Sequence, residues 1–186
     1  MAIEDLVKTA EDKMRKSLEA TRHEYTQIRT GRANPSMVEE IKVAMYGTEL
    51  PLQQVASVSV PDPRQLLITP FDKTAIGAIE KAIQKSEVNL TPNNDGTSIR
   101  LNIPPLTEER RKEFIRLLHK KAEVGHAAIR NIRHDCNNHL KQLTKNKECS
   151  EDEEKRAHDR VQKLTDQYIA EIDKATKSKE QELLEV

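Results

Sequence analysis

With 186 residues, 33% charged and 35% hydrophobic, and with no Trp, two Phe and three Tyr, the chain can build only a thin, mostly aliphatic core. That excludes one large globular core and favours elongated packing in one domain or two small ones. The formal net charge is zero but unevenly spread: residues 2–30 hold six basic and six acidic side chains, 31–106 seven and eight, 107–149 eleven and six, and 150–186 seven and eleven.

Residues 3–28 carry Ile3, Leu6, Ala10, Met14, Leu18, Thr21, Tyr25 and Ile28 at steps of three and four, the seam of an amphipathic helix. All eight Pro and four of the five Gly then fall between residues 31 and 105, so the architecture changes there. Glu39–Tyr46 is expected to be a strand closed by Gly47-Thr48, with further strands at Val55–Val60, Gln65–Thr69 and Ser98–Ile103. Ala75, Ile76, Ile79, Ala82 and Ile83 have helical spacing, and Asn93-Asn94-Asp95-Gly96 predicts a turn before the last strand. These pieces make a small α/β domain.

Pro104-Pro105 breaks the chain, and Thr107 followed by Glu108 and Glu109 predicts a helix start near residue 108. Its seam runs through Leu118, Ala122, Gly125, Ile129, Ile132, Cys136, Leu140 and Leu143. Ser150 and Glu153 form a capping box that starts a third helix near 151, with its seam at Ala157, Val161, Leu164, Tyr168, Ile172, Ala175, Lys179 and Leu183. A narrow apolar stripe on each of three long helices calls for two partners, and the economical solution is a three-helix bundle.

The expected fold class is therefore α+β: an elongated three-helix bundle formed by residues 1–30 and 106–186, interrupted by an α/β domain at 31–105. The insert hangs from the bundle by two connections, Arg29-Thr-Gly-Arg-Ala-Asn-Pro35 and Ile103-Pro-Pro-Leu106. Gly31 permits torsions that other residues resist, while Pro104 and Pro105 stiffen the opposite connection. A two-stranded hinge built on Arg29, Gly31, Arg32, Pro104 and Pro105 is the expectation.

No run approaches the roughly 20 apolar residues of a membrane span, and acids appear early in Met1–Lys13, so a soluble, cytoplasmic protein with no membrane contact is expected. Cys136 and Cys149 are too few for a disulfide framework and lack metal-finger spacing. Cys136 and His139, with His134 and His126 near, could pass for metal ligands; Cys136 occupies the apolar seam, however, and is read as packing, with the histidines solvent-facing. Phosphate-loop, zinc-protease and nucleophile-elbow motifs are missing, so neither catalysis nor a cofactor or metal is expected.

On the second long helix His126, Arg130, Arg133 and Asn137 follow steps of four, three and four along one face. Arginine forks held at fixed spacing on a rigid helix suit phosphate oxygens. The stripe lacks aromatic stacking residues, which favours recognition of a folded RNA's backbone over reading of unstacked bases. Two alternatives stand beside this: the arginines form a solvated face, or they pair with the acidic surplus of the third helix. The helical seams alone would also suit a structural adaptor whose insert binds a protein.

Longer matches narrow the choice. Arg29-Thr-Gly-Arg-Ala-Asn-Pro-Ser36, Asp95-Gly-Thr-Ser-Ile-Arg100, Pro104-Pro-Leu-Thr-Glu-Glu-Arg-Arg-Lys112, Ala128-Ile-Arg-Asn-Ile-Arg133 and Ser150-Glu-Asp-Glu-Glu154 resemble, in this order, signature stretches of the ribosome recycling factors. The resemblance covers essentially the whole chain. It implies an L of two hinged domains, a three-helix bundle and a β/α/β insert, that acts as a monomer on the post-termination ribosome. There the bundle would lie on large-subunit ribosomal RNA across the A- and P-site region, and elongation factor G, hydrolysing GTP, would move the insert and drive splitting into subunits and release from mRNA. The chain itself would hydrolyse nothing. Carried over by position, Arg130 and Arg133 would contact ribosomal RNA, with Arg110 a weaker candidate; His134 stands where the family often has another basic residue, so the role does not extend to it.

Overall fold

The computed structural model describes residues 2–185. They fall into two compact units, residues 2–29 with 108–185, and Thr30–Thr107.

The first unit is three long helices: α1 (Ile3–Thr26), α4 (Glu108–Lys145) and α5 (Glu151–Leu184). Each packs on the other two. At about 1.5 Å per residue, the 38 residues of α4 span roughly 57 Å. Met14, Leu118, Ile129, Leu140, Val161 and Ile172 are fully buried along the common axis. Helix α1 stops at Thr26 although the apolar rhythm runs on to Ile28, because the last turn loosens: the Gln27 and Ile28 amides reach back three residues, to Glu24 and Tyr25. Ile28 is nevertheless buried.

Gly125 lies where α4 crosses both partners, and a Cβ there would sit 2.8 Å from Thr21 Oγ1 and 3.2 Å from Ile172 Cδ1. Polar pairs rim the seams: Arg160 takes Glu4 with both terminal nitrogens (2.5 and 3.2 Å), Arg22 meets Glu171 (3.0 Å), Lys121 meets Glu24, and Tyr25 Oη lies 2.7 Å from Thr176 Oγ1. The predicted capping box opens α5, with Ser150 Oγ accepting from the Glu153 amide (3.1 Å) and Glu153 Oε2 accepting from the Ser150 amide (3.3 Å).

In the second unit β1 (Lys42–Met45) and β2 (Thr48–Pro51) form a hairpin turned by Tyr46 and Gly47, both at positive φ. A one-turn helix α2 (Leu52–Val55) leads into an antiparallel sheet of order β3-β4-β6-β5, where β3 is Ala56–Asp62, β4 Gln65–Pro70, β5 Pro92–Asn94 and β6 Ile99–Asn102. Helix α3 (Ile76–Lys85) packs against β1 and β5, burying Ile79 and Ile83 among Val43, Leu52, Leu66, Ile68, Ile99 and Leu101.

Three expectations shift in detail. The first strand begins at Lys42, not Glu39, because Pro35–Met37 forms a 3-10 turn capped by Asn34 Oδ1 and the chain keeps turning to Glu40. Asn93 and Asn94 belong to β5 and pair with Arg100 and Ile99, so the turn is Asp95 to Thr97. Strand β2, polar and ending in proline, and the three-residue β5 went unpredicted, since neither alternates clearly enough to announce itself.

Candidate nucleic-acid interface

The stripe on α4 separates into residues of different standing. His126 is only 13% exposed; its Nε2 lies 2.7 Å from Asp173 Oδ1 on α5 and its Nδ1 3.6 Å from Glu123. It is a cross-helix contact, which corrects the solvent-facing expectation for this histidine; His134 and His139 are exposed. Arg130 is exposed and, among the described residues, has no hydrogen bond or ion pair.

Arg133 is half-buried on the flank toward α5 and donates from Nη1 to Gln162 Oε1 at 3.3 Å. Neither Arg130 nor Arg133 pairs with a carboxylate among the described residues, although α5 is acidic. That helix directs its charges elsewhere: Asp173 to His126, Glu180 to His119 (3.6 Å), and Glu171 to Arg22 of α1. Pairing with acids of the third helix therefore applies to His126 and not to the two arginines, whose charges no carboxylate offsets among the described residues. Asn137 is half-buried, and its buried Oδ1 has no hydrogen-bond partner among the described residues.

Arg110 lies near the start of α4, its guanidinium 5.2 Å above the Phe114 ring and 3.4 Å from Glu113. Cation–π stacking and an i,i+3 carboxylate together hold it along the helix. Its neighbour Arg111, which the periodicity did not single out, is half-buried with Nε unsatisfied. Cys136 is buried in the seam, its thiol 3.8 Å from the Leu6 carbonyl and its ionisation pushed up by burial, so it is unsuited to nucleophilic or ligand chemistry. Among the described residues no group of three His, Cys, Asp or Glu gathers as a metal site, and no helix is long and apolar enough to cross a membrane.

The candidate hinge residues lie on two connections anchored at one place. The Ala33 amide donates to the Pro63 carbonyl and the Ile103 amide to the Arg64 carbonyl, both at 2.7 Å, so adjacent carbonyls of the β3–β4 turn hold both connections. Gly31 sits at φ +78, and its missing Cβ would stand 3.5 Å from Leu106 Cγ. Pro104 and Pro105 are exposed, as are Arg29 and Arg32.

A charged, rigid face of this kind can lie along a phosphate backbone. Known proteins are similar over the full length. The family model described as ribosome recycling factor matches residues 21–184. The ribosome-recycling factor of Halothermothrix orenii is 54% identical over 184 residues, covering 99% of this chain and all of the relative, and that of Bacillus subtilis is 50% identical over 186 residues with both chains fully covered. A solution structure of the ribosome recycling factor aligns with a TM-score of 0.79 at 45% identity, across 100% of this chain and 99% of the other. A second structure, of the Thermus thermophilus factor placed with Escherichia coli elongation factor G on the E. coli post-termination complex, aligns at 0.67 with 46% identity over the full length of both chains. This chain belongs to the ribosome recycling factor family.

Proposed function

We propose that the chain recycles ribosomes in the cytoplasm: it binds the post-termination ribosome at the A- and P-site region of the large subunit and, with elongation factor G and GTP, promotes its separation into subunits and release from mRNA. The observation that carries this is family membership over essentially the whole length, at about half identity. The chain contributes binding and shape, and the GTPase contributes the hydrolysis. Arg130 and Arg133 on α4 meet ribosomal RNA phosphates, with Arg110 an outlying contact; two uncompensated arginines one turn apart support that assignment. The insert swings about the connections carrying Arg29, Gly31, Arg32, Pro104 and Pro105, driven by the translocase.

The purified protein, mixed with post-termination ribosomes, elongation factor G, GTP and an initiation factor to hold subunits apart, is expected to split them, as followed by light scattering. Intact ribosomes after many turnovers would overturn the reading. Arg133→Ala is expected to weaken ribosome binding by about 1–2 kcal/mol, the range for a half-buried, charge-assisted hydrogen bond. The loss should shrink as salt rises, because backbone contacts release counterions; affinity equal to wild type at low and moderate salt would remove Arg133 from the interface.

A further inference from the structure

We propose that Gln162 of α5, itself oriented by Asp166, is the positioning residue for Arg133; the inference rests on the RNA-binding reading above. A side-chain amide can face either way, presenting oxygen or NH2. Here the choice is fixed locally: Gln162 Nε2 donates to Asp166 Oδ1 at 2.9 Å, one helical turn on. A carboxylate only accepts, so the NH2 end belongs to Asp166 and the oxygen faces α4. Arg133 Nη1 donates to that oxygen at 3.3 Å. The relay Asp166, Gln162, Arg133 thus runs from α5 to α4 across the outside of the helix pair.

The chemistry of the middle member decides what the relay does. A carboxylate in Gln162's place would pair with the guanidinium and compete with any phosphate. A neutral amide oxygen takes up one N–H and leaves both the charge and the other donors of the planar fork available. Asp166, one helical turn beyond Gln162, makes no ion pair with Arg133 among the described residues and acts through the amide. Arg130, exposed and without a partner among the described residues, has no such holder. The two arginines therefore differ: one is held at a fixed angle before contact, and the other orders its side chain only on contact. Preorganisation reduces the side-chain entropy lost on binding, so removing Gln162 weakens binding without removing charge.

The test compares Gln162→Leu, Gln162→Glu, Arg133→Ala and the double variant Gln162→Leu/Arg133→Ala, as full-length protein, for affinity to purified large ribosomal subunits across a salt series, with thermal denaturation alongside. Gln162→Leu is expected to weaken binding roughly threefold, in keeping with an exposed contact, with an unchanged slope of affinity against salt and an unchanged melting temperature. In the Arg133→Ala background the same substitution should have no effect. Gln162→Glu should weaken binding more, by about tenfold, and flatten the salt slope by about one ionic contact, since its carboxylate takes Arg133 out of play. Wild-type binding by both Gln162 variants alongside a weakened Arg133→Ala overturns the positioning role and leaves the RNA reading standing. Equal losses from Gln162→Leu in both backgrounds overturn it too, because Gln162 would then act independently of Arg133. Wild-type binding by Arg133→Ala overturns the RNA reading itself.

Discussion

Asp95, an exposed side chain of the insert, organises a whole turn. Its Oδ1 accepts from the Thr97 amide (2.9 Å), the Ser98 amide (2.8 Å) and Thr97 Oγ1 (2.9 Å), and its Oδ2 from Ser98 Oγ (3.2 Å), closing the turn between β5 and β6. The amide donors of Thr97 and Ser98 hold its carboxyl well below the usual carboxylate range. A carboxylate depressed in this way stabilises the fold at every pH above its unfolded value of about 3.9, and the stabilisation is lost as pH falls below that value toward the folded one. Asp95→Ala should therefore lower the melting temperature equally at pH 7 and pH 5, with the gap to wild type closing only below about pH 4. A gap that closes already between pH 7 and 5 would place the effect on another group. At this scale the sequence was partly legible. The arginine spacing on α4 was visible because both residues lie on one helix. The burial of His126 was not, because Asp173 is 47 residues away, and nor was the grip of Gln162 on Arg133.

Among the elements, the long helices were the most legible, since dozens of residues repeat one signal; at α5 a local cap adds to it, and Ser150 with Glu153 placed the start near residue 151, where the helix begins. Short strands lack that redundancy. Strand β5 exists because β6 pairs with it and Asp95 closes the turn, both conditions set outside its own three residues. The packing of the helices hides another dependency: Gly125 looks like a weak point in a helix, yet it is the site of closest approach. Replacing it by Ala would add up to ~1 kcal/mol of helix propensity. The new methyl, however, meets Thr21 Oγ1 at 2.8 Å, and that hydroxyl is already committed to the Ser17 carbonyl at 2.9 Å, while Ile172 crowds from α5 at 3.2 Å. Overpacking of this kind costs about 1–3 kcal/mol. We expect Gly125→Ala to destabilise by a net ~1–2 kcal/mol in urea denaturation; a more stable variant would mean that the helices part easily at this crossing.

For the whole molecule, the α+β class and the interruption of a bundle by a small sheet domain followed from the shift in Gly and Pro content and the return of helical periodicity after Pro105. The common anchoring of the two connections did not, because it depends on two backbone carbonyls of the β3–β4 turn, which no side-chain pattern encodes. Between that anchor and α1, Gly31 is in the left-handed region, where a Cβ costs about 1–2 kcal/mol, although there is room for the methyl beside Leu106. Gly31→Ala is expected to leave ribosome affinity within about twofold, since the cost lies outside the face proposed to meet RNA, and to slow subunit splitting several-fold. Equal splitting rates would show that the torsion at this position is not used during the reaction.

The placement of the insert also sets an order of events during synthesis. Helix α1 is made first, but both helices that cover its apolar seam come after residue 107. At about 5–20 residues per second, α1 waits roughly 10–30 s for α5 to be complete, exposing Leu6, Met14, Leu18 and Tyr25 meanwhile. The insert can fold in that interval from contacts within Thr30–Thr107. Folding it first shortens the loop that must close when α1 docks, from a floppy chain of nearly eighty residues to the distance between two strands anchored side by side, and the entropy of that closure falls accordingly. If the insert folds first, the β3–β4 turn that holds the connections in the finished protein is also a clasp during its assembly.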